Sequence, residues 1–270
     1  MDSIVTWFKD LWAAIYCDVI LPVAEWFNET WADFYQEFHN NFIKSDRWFS
    51  LVKGLGATLQ ITFGALLLGM IIGLIVAAVR STYDKNSEVM AQKGGAGWVF
   101  MRISNAICNL YLTIFRGTPV VVQLMIFYFV IFAGSRNGIM VATIAFGINS
   151  GAYVAEIFRS GIVSVDNGQF EAGRSLGFSY LQTMIYIIVP QAFKTVLPTL
   201  CNEFIVLLKE TSIAGYVGVV DLTKAGDIIR GRTFSAFMPL IMVALVYLLM
   251  VVILTALVRR LERRLQKSER

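Results

Sequence analysis

The hydrophobic positions of this chain are gathered into long runs that contain no charged side chain. Residues 54–79 and residues 233–258 are two such runs, each 26 residues long. About 20 consecutive apolar residues suffice for a helix to cross the hydrocarbon core of a bilayer. Strands that span a membrane alternate polar and apolar residues over short segments, and these runs do not alternate. Both runs are therefore predicted to be transmembrane helices.

Three further apolar stretches bring the number of predicted spans to five. They are residues 103–133, residues 138–155 and approximately residues 181–208. A polar loop is predicted at 80–102, a polar stretch at 156–177 and a mixed loop at 209–232. The first stretch is interrupted by Arg116, Gly117, Thr118 and Pro119. Proline starts a helix well but disrupts a helix interior. This stretch is therefore either one long helix with a kink or a span that begins at Pro119.

The first fifty residues show a different pattern, in which apolar side chains recur at helical spacing among charged ones. The recurring residues are Ile4, Phe8, Leu11, Trp12, Ile15 and Val19, and tryptophan stands at positions 7, 12, 26, 31 and 48. Tryptophan favours the boundary between lipid headgroups and water. The pattern predicts one or two amphipathic helices lying on the membrane. A sixth span remains an alternative, and a cleaved signal peptide is disfavoured because Asp2 and Lys9 interrupt its required pattern.

Composition supports an integral membrane protein and offers little for catalysis. Of the 270 residues, 57% are hydrophobic and 16% are charged, with a mean hydropathy of +0.64, which is too apolar for a soluble domain. Cys17, Cys108 and Cys201 are widely spaced, and His39 is the single histidine. The chain has no G-x-x-x-x-G-K-[ST] loop for ATP. We therefore expect no catalytic residue, metal site or cofactor in this chain, and no nucleic-acid partner.

Orientation follows from the basic residues that flank the spans. The tail at 259–270 carries Arg259, Arg260, Arg263, Arg264, Lys267 and Arg270. Dense positive charge beside a span marks the cytoplasmic side. With five spans, this places segments 80–102 and 156–177 in the cytoplasm and the N-terminus outside. The loop at 209–232 works against this bias, because Lys209, Lys224, Arg230 and Arg232 would then lie outside or in a re-entrant segment.

A short polar segment between the third and fourth predicted spans has the signals of a separate helix near residues 166–177. Asp166, Asn167 and Gly168 form a turn signal, and Asp166 is predicted to cap the helix together with Gln169. Gly177 can adopt the left-handed conformation that ends a helix. A helix of about two turns is unstable alone in water, so it requires a docking partner. An ordinary surface loop is the alternative.

This segment resembles the coupling motif of ABC-importer permeases, which is Glu-Ala-Ala, three residues, Gly, nine residues and Ile-x-Leu-Pro. Gly177, Ile187 and Pro190 match the motif, whereas Gly173 and Val189 depart from it. Residues 115–124 contain an Arg-Gly-Thr-Pro segment similar to that of the polar amino-acid subfamily. Residues 152–162 and 197–212 also resemble that subfamily. The likeness covers residues 51–265.

The resemblance implies an all-α integral membrane protein with the five core transmembrane helices of the type I ABC-importer permease fold. The extra N-terminal amphipathic region would occupy residues 1–50, the permease domain residues 51–258, and the basic cytoplasmic tail residues 259–270. The implied partners are a second permease chain, identical or different, two cytosolic ATPase subunits that bind ATP and Mg, and an extracytoplasmic solute-binding protein. The implied cargo is a polar amino acid, and the implied location is the cell membrane.

Two groups of candidate site residues follow. Those expected to contact the ATPase are Gln169, Phe170, Glu171, Ala172, Gly173, Arg174, Ser175, Leu176 and Gly177. Those expected along a substrate path are Arg116, Thr118, Asn202 and Glu203, because polar groups within a bilayer usually face a cavity or one another. Glu203 has a structural alternative, an ion pair with Lys194 or Lys209.

Three other functions compete with this interpretation. One is a secondary transporter or channel that works without an ATPase, although no internal repeat supports it. Another is an ABC permease for a different small solute, such as an opine or a sulfur compound. The third, an intramembrane enzyme, lacks a cluster of catalytic side chains in the sequence.

Overall fold

The computed structural model describes Trp12, Tyr16, Cys17 and residues 21–267, and this described part is helical and contains no strand. Helical turns of π or 3-10 type extend or join several of the α-helices, at His39–Ile43, Lys44–Asp46, Phe127–Ile131, Met184–Ile188 and Thr211–Val217. The α-helices are α1 (Leu21–Phe38), α2 (Arg47–Lys93), α3 (Ala96–Gly117), α4 (Val120–Ile126), α5 (Gly138–Val163), α6 (Asn167–Ser175), α7 (Tyr180–Thr183), α8 (Val189–Glu210), α9 (Leu222–Thr233) and α10 (Phe237–Lys267).

Five helical stretches within the described residues are long and apolar enough to cross a membrane, which is the predicted number. They are Leu21–Lys85, Ala96–Gly117, Gly138–Val163, Tyr180–Val217 and Phe237–Leu265. The predicted loop at 80–102 is wrong, because α2 continues to Lys93 and α3 begins at Ala96. Residues 81–93 are polar but include no glycine or proline, so nothing in them stops the helix until Gly94.

The predicted interruption near Pro119 divides two separate helices. Thr118 (φ −121°, ψ 148°) and Pro119 (φ −63°, ψ 133°) are both extended, and α4 begins at Val120. Proline lacks the N–H that would continue the helix, and it disfavours the helical conformation of the residue before it. Neither a single kinked helix nor a span starting at Pro119 therefore describes this region, because the spanning helix Ala96–Gly117 lies before the break.

Close packing of α2 against α5 forms the centre of the structure. A Cβ atom on Gly69 would lie 3.2 Å from the Gly151 nitrogen, and one on Gly73 would lie 2.6 Å from Cγ1 of Val154. Small residues allow helix backbones to approach this closely within a bilayer. The adjoining core includes the fully buried Ile61 and Phe146. Helix α5 is therefore enclosed by its neighbours and can carry buried polar groups.

A second cluster joins the N-terminal segment to the rest of the chain. Phe42 packs with Leu222 and Ile229, and Phe38 contacts the edge of the cluster. Helix α1, which precedes it, is exposed, and Trp31 is 62% exposed. The predicted amphipathic positions 4, 8, 11, 15 and 19 lie outside the described residues. An interfacial role for residues 1–50 therefore stays a prediction.

Candidate functional site: a docking helix and a polar band

Both ends of helix α6 are fixed by hydrogen bonds of the kind that the sequence predicts. The Asp166 carboxylate accepts a hydrogen bond of 2.6 Å from the backbone N–H of Gly168, and Gly177 has φ +81°. The Phe178 N–H bonds the Gly173 carbonyl at 3.0 Å, and the Gly177 N–H bonds the Arg174 carbonyl at 2.9 Å. This pair of bonds is a Schellman motif, which satisfies the last carbonyls of a helix.

One face of α6 is anchored to the ends of two spans. The Phe170 ring is buried, with Lys85 Nζ of α2 lying 4.3 Å from the ring centroid, and the same Nζ donates a 2.7 Å hydrogen bond to Asn167 Oδ1. Gly173 is buried, and a Cβ there would lie 2.6 Å from Cγ2 of Thr183. The predicted return of Gln169 to the cap is not seen, since Gln169 instead accepts from Gln191 Nε2 at 3.2 Å.

The opposite face of α6 is open. The exposed residues of the predicted contact set are Gln169, Glu171, Ala172, Arg174, Ser175, Leu176 and Gly177. Leu176 is 72% exposed, and Leu181, shortly after α6, is 65% exposed. Within the described part of the chain, Glu171 and Arg174 form no ion pair. The helix thus presents charged and apolar side chains together, a surface suited to a protein partner.

Two buried side-chain amides, those of Gln123 and Asn149, form a hydrogen-bonded pair that stabilises the helix break at Thr118; we call it the amide pair. Gln123 Nε2 donates to the Phe115 carbonyl (3.0 Å), the Thr118 carbonyl (3.1 Å) and Thr118 Oγ1 (2.7 Å). Asn149 Nδ2 of α5 donates to the Phe115 carbonyl (3.0 Å) and to Gln123 Oε1 (2.8 Å). In an unbroken helix the Phe115 carbonyl would bond residue 119, but Pro119 has no N–H. The two amides replace that missing donor, as a helix break inside a bilayer requires.

The next residue along α5 extends this polar region to α8. Ser150 Oγ donates a 2.9 Å hydrogen bond to Glu203 Oε1. Thr118, Gln123 and Asn149 form one hydrogen-bonded group, and Ser150 and Glu203 form a second group at the next position of α5; we call the two groups together the polar band. The alternative prediction of an ion pair between Glu203 and Lys194 or Lys209 is wrong, because no such pair exists among the described residues.

The structure does not bring the other two predicted path residues into the polar band. Arg116 Nη1 lies 3.9 Å from Glu156 Oε2, and its guanidinium carbon lies 5.7 Å from the centroid of the Tyr153 ring. Glu156 also pairs with Arg159. Asn202 is on the exposed side of α8. Sequence reasoning missed Gln123 and Asn149, although each is a polar residue inside an apolar stretch, the available signal for such a role.

Comparison with known proteins gives the same architecture. Residues 95–267 match the family described as "Binding-protein-dependent transport system inner membrane component". The chain is 36% identical over 220 residues to the glutamine transport system permease protein GlnP of Escherichia coli strain K12, covering 80% of this chain and 93% of that protein. A putative glutamine transport system permease protein of Rickettsia prowazekii is 34% identical over 218 residues, with 80% and 92% covered.

Solved structures agree with these relatives. A crystal structure of an amino acid ABC transporter with histidines is 36% identical, with a TM-score of 0.70, and the match covers 83% of this chain and 98% of that one. A chain of the methionine transporter MetNI in an inward-facing conformation is 21% identical, with a TM-score of 0.68 over 82% and 98%, and supports the fold alone. The predicted five-span permease fold is confirmed. The chain belongs to the family of binding-protein-dependent transport system inner membrane components and is a multi-pass permease subunit of an ABC importer.

Proposed function

We propose that this chain lines the path by which an ABC importer takes up polar amino acids. A second permease chain, identical or different, would complete the path. Two cytosolic ATPase subunits would bind ATP and Mg, and an extracytoplasmic solute-binding protein would deliver the amino acid. Support for this class of cargo comes from the relatives named for glutamine transport. The observation that carries the proposal is α6, a helix capped at both ends and exposed on one face.

Coupling to the ATPase is assigned to residues 169–177. A helix of about two turns gains little stability alone, so its exposed face favours a docked partner. Its buried face, through Phe170 and Gly173, would pass a displacement of the ATPase into the spans as a rigid body.

Cysteine cross-linking tests this assignment. In a chain whose three native cysteines are replaced by serine, Ser175→Cys should cross-link to the ATPase. Ala236→Cys is the matched control, because it is an exposed position between α9 and α10, on the proposed outer side. A transport-competent complex in which no position from 169 to 177 cross-links would refute the coupling role.

The substrate path is assigned to the polar band and its surroundings. Thr118 and Glu203 lie within the band, and the carboxylate of Glu203 can attract a substrate ammonium group. Arg116 and Asn202 are exposed, so they are assigned to a wall of the path that faces the second permease chain. Arg116 would attract the substrate carboxylate in competition with Glu156.

The proposed topology places the basic tail at 259–270 in the cytoplasm and residues 1–50 on the outer face. A reporter active only in the cytoplasm should work when fused at Arg270 and fail at Met1. Removing residues 1–37 should leave the five spans assembled. Inversion of the remaining chain after this deletion would show that the segment is itself a span.

Uptake by the reconstituted complex distinguishes the remaining functions. ATP-dependent uptake of glutamine or another polar amino acid, dependent on the binding protein, is the expected result. Uptake that persists without the ATPase would indicate a secondary transporter or channel. ATP-dependent uptake of only an opine or a sulfur compound would leave the ABC class intact and change the cargo.

A further inference from the structure

A cavity of about 330 Å³ lies between α2, α8 and α10, and no residue of the polar band lines it. Its lining is formed by apolar or weakly polar side chains: Phe63, Leu66, Met70, Leu197, Leu200, Cys201, Phe204, Ile205, Leu254, Leu257, Val258 and Leu261. A polar amino acid would lose its hydrogen bonds to water there without replacement. Apolar cavities also exclude water. The occupant therefore has to be apolar over the whole depth of the cavity.

The depth of the cavity fits within one leaflet of a bilayer. The lining residues run from Leu197 to Ile205 along α8 and from Leu254 to Leu261 along α10. At 1.5 Å per residue these stretches are about 12 Å and about 10 Å long. One leaflet contributes about 15 Å of hydrocarbon. A neighbouring transmembrane helix is about 10 Å wide, so a cavity of this size cannot admit one. A lipid acyl chain has the required width and length.

Basic residues lie just beyond the lining residues at one end of the cavity. Lys194 precedes Leu197 by three residues on α8, and Arg264 follows Leu261 by three on α10, so both continue the lining faces. Arg260 lies on the neighbouring face of α10. Within the described residues, none of the three forms an ion pair. Within segments 189–197 of α8 and 258–267 of α10, Glu262 is the one acidic residue, so these two helix ends are positively charged overall.

We propose that this cavity binds one acyl chain of an anionic phospholipid, whose phosphate is held by Lys194 and Arg264. The inference rests on the proposed orientation, in which this end of both helices meets the cytoplasmic leaflet. Basic pockets between transmembrane helices on that side attract anionic headgroups. The lipid would brace α10 against α8, and α8 is the helix that carries Glu203.

Photo-crosslinking in vesicles tests the proposal on the complete importer. Phosphatidylglycerol and phosphatidylcholine carry the same diazirine on the acyl chain, and labelled peptides are located by mass spectrometry. Phosphatidylglycerol should label the peptides that contain residues 197–205 and 254–261 more strongly than phosphatidylcholine does. Lys194→Gln and Arg264→Gln should each lower that labelling about fivefold. Arg232→Gln, at the other end of the spans, is the matched control and should have no effect.

Other outcomes overturn the proposal. Equal labelling by the two lipids would show that the headgroup is not recognised. Labelling confined to other peptides would show that the acyl chain does not bind in this cavity. Cross-links from the cavity to a second permease chain would assign the space to that chain. Leu257→Trp, which fills the cavity, should abolish labelling at 197–205 even where the charge variants fold poorly. ATP-dependent uptake and the fusion reporters are measured on the same vesicles, so failure of the proposed function is seen separately.

Discussion

Replacing Asn149 with leucine tests the amide pair of Gln123 and Asn149 with little change of side-chain volume. Asn149 is 3% exposed and donates one hydrogen bond to the Phe115 carbonyl and one to Gln123 Oε1. Leucine removes both donors. The Phe115 carbonyl keeps its bond from Gln123 Nε2, so the group left without a partner is Gln123 Oε1. The helix break is then held by one amide.

The expected loss of stability follows from these contacts. A buried acceptor left unpaired costs about 1–3 kcal/mol. Hydrogen bonds between transmembrane helices contribute about 0.6 kcal/mol on average and about 1.7 kcal/mol at most. Asn149→Leu should therefore lower the free energy of unfolding by about 1–1.7 kcal/mol, where these two ranges overlap. Gln123→Leu should cost more, because it also removes the donors to Thr118.

Unfolding is measured by steric trapping or by detergent titration in a bilayer mimetic, and uptake is measured on the same preparations. Thr143→Val is the matched control on α5, because the Thr143 hydroxyl bonds only the Ile139 carbonyl of its own helix. Its effect should stay within about 0.5 kcal/mol. The expected order of destabilisation is Gln123→Leu, then Asn149→Leu, then Thr143→Val. An Asn149→Leu variant as stable as the control would show that the amide pair does not stabilise the helix break at Thr118.

Three further changes test other parts of the molecule. Gly177→Val should uncouple ATP hydrolysis from uptake without loss of membrane insertion, because valine is strained at φ +81°. Gly177→Asn should have a milder effect, and equal coupling in the two variants would contradict this. Glu203→Gln keeps an acceptor for the Ser150 hydroxyl, so the yield of the complex should stay unchanged while uptake falls. Normal uptake would show that Glu203 is not part of the substrate path. Burial raises the pKa of Asp221 above its ordinary 3.8, so the free energy of unfolding should fall as pH rises beyond 3.8 and this carboxyl ionises. Asp221→Asn can still cap α9 and should make the free energy of unfolding less dependent on pH. An unchanged slope would refute this.

Local signals in the sequence predict the spans and the ends of α6. The charge-free runs give the spans because a helix in a bilayer satisfies its own backbone groups, so length and composition decide the outcome. Asp166 and Gly177 act on neighbouring backbone groups, and their roles can be inferred from a few residues. The error at 80–102 came from equating polarity with a loop, although helices project beyond a membrane wherever no breaker stops them.

Contacts between distant parts of the chain could not be obtained in this way. The Asn149 bond to Phe115 joins residues 34 apart, and the Ser150 bond to Glu203 joins residues 53 apart. Each depends on the rotation of two helices about their own axes, which an apolar run of residues does not determine. The same limit applies to Lys85, which reaches Phe170 and Asn167 across 82 residues or more. Such partners become visible only once α2, α5 and α8 are packed.

The position of α6 suggests how a displacement by the proposed ATPase partner would reach the polar band. Helix α6 lies between α5 and α8 in the chain. Its buried face contacts Lys85 of α2 and packs on Thr183, and its Gln169 accepts a hydrogen bond from Gln191, so it has contacts on the α8 side of the chain. A displaced α6 would therefore carry α8 with it more readily than α5. Helices α5 and α8 also meet at Gly161, where a Cβ atom would overlap the Val196 side chain, so sliding of the two helices there is restricted. Tilting of α8 about that contact would change the separation of Ser150 and Glu203, so the carboxylate would gain or lose its hydrogen bond if the proposed path opens there.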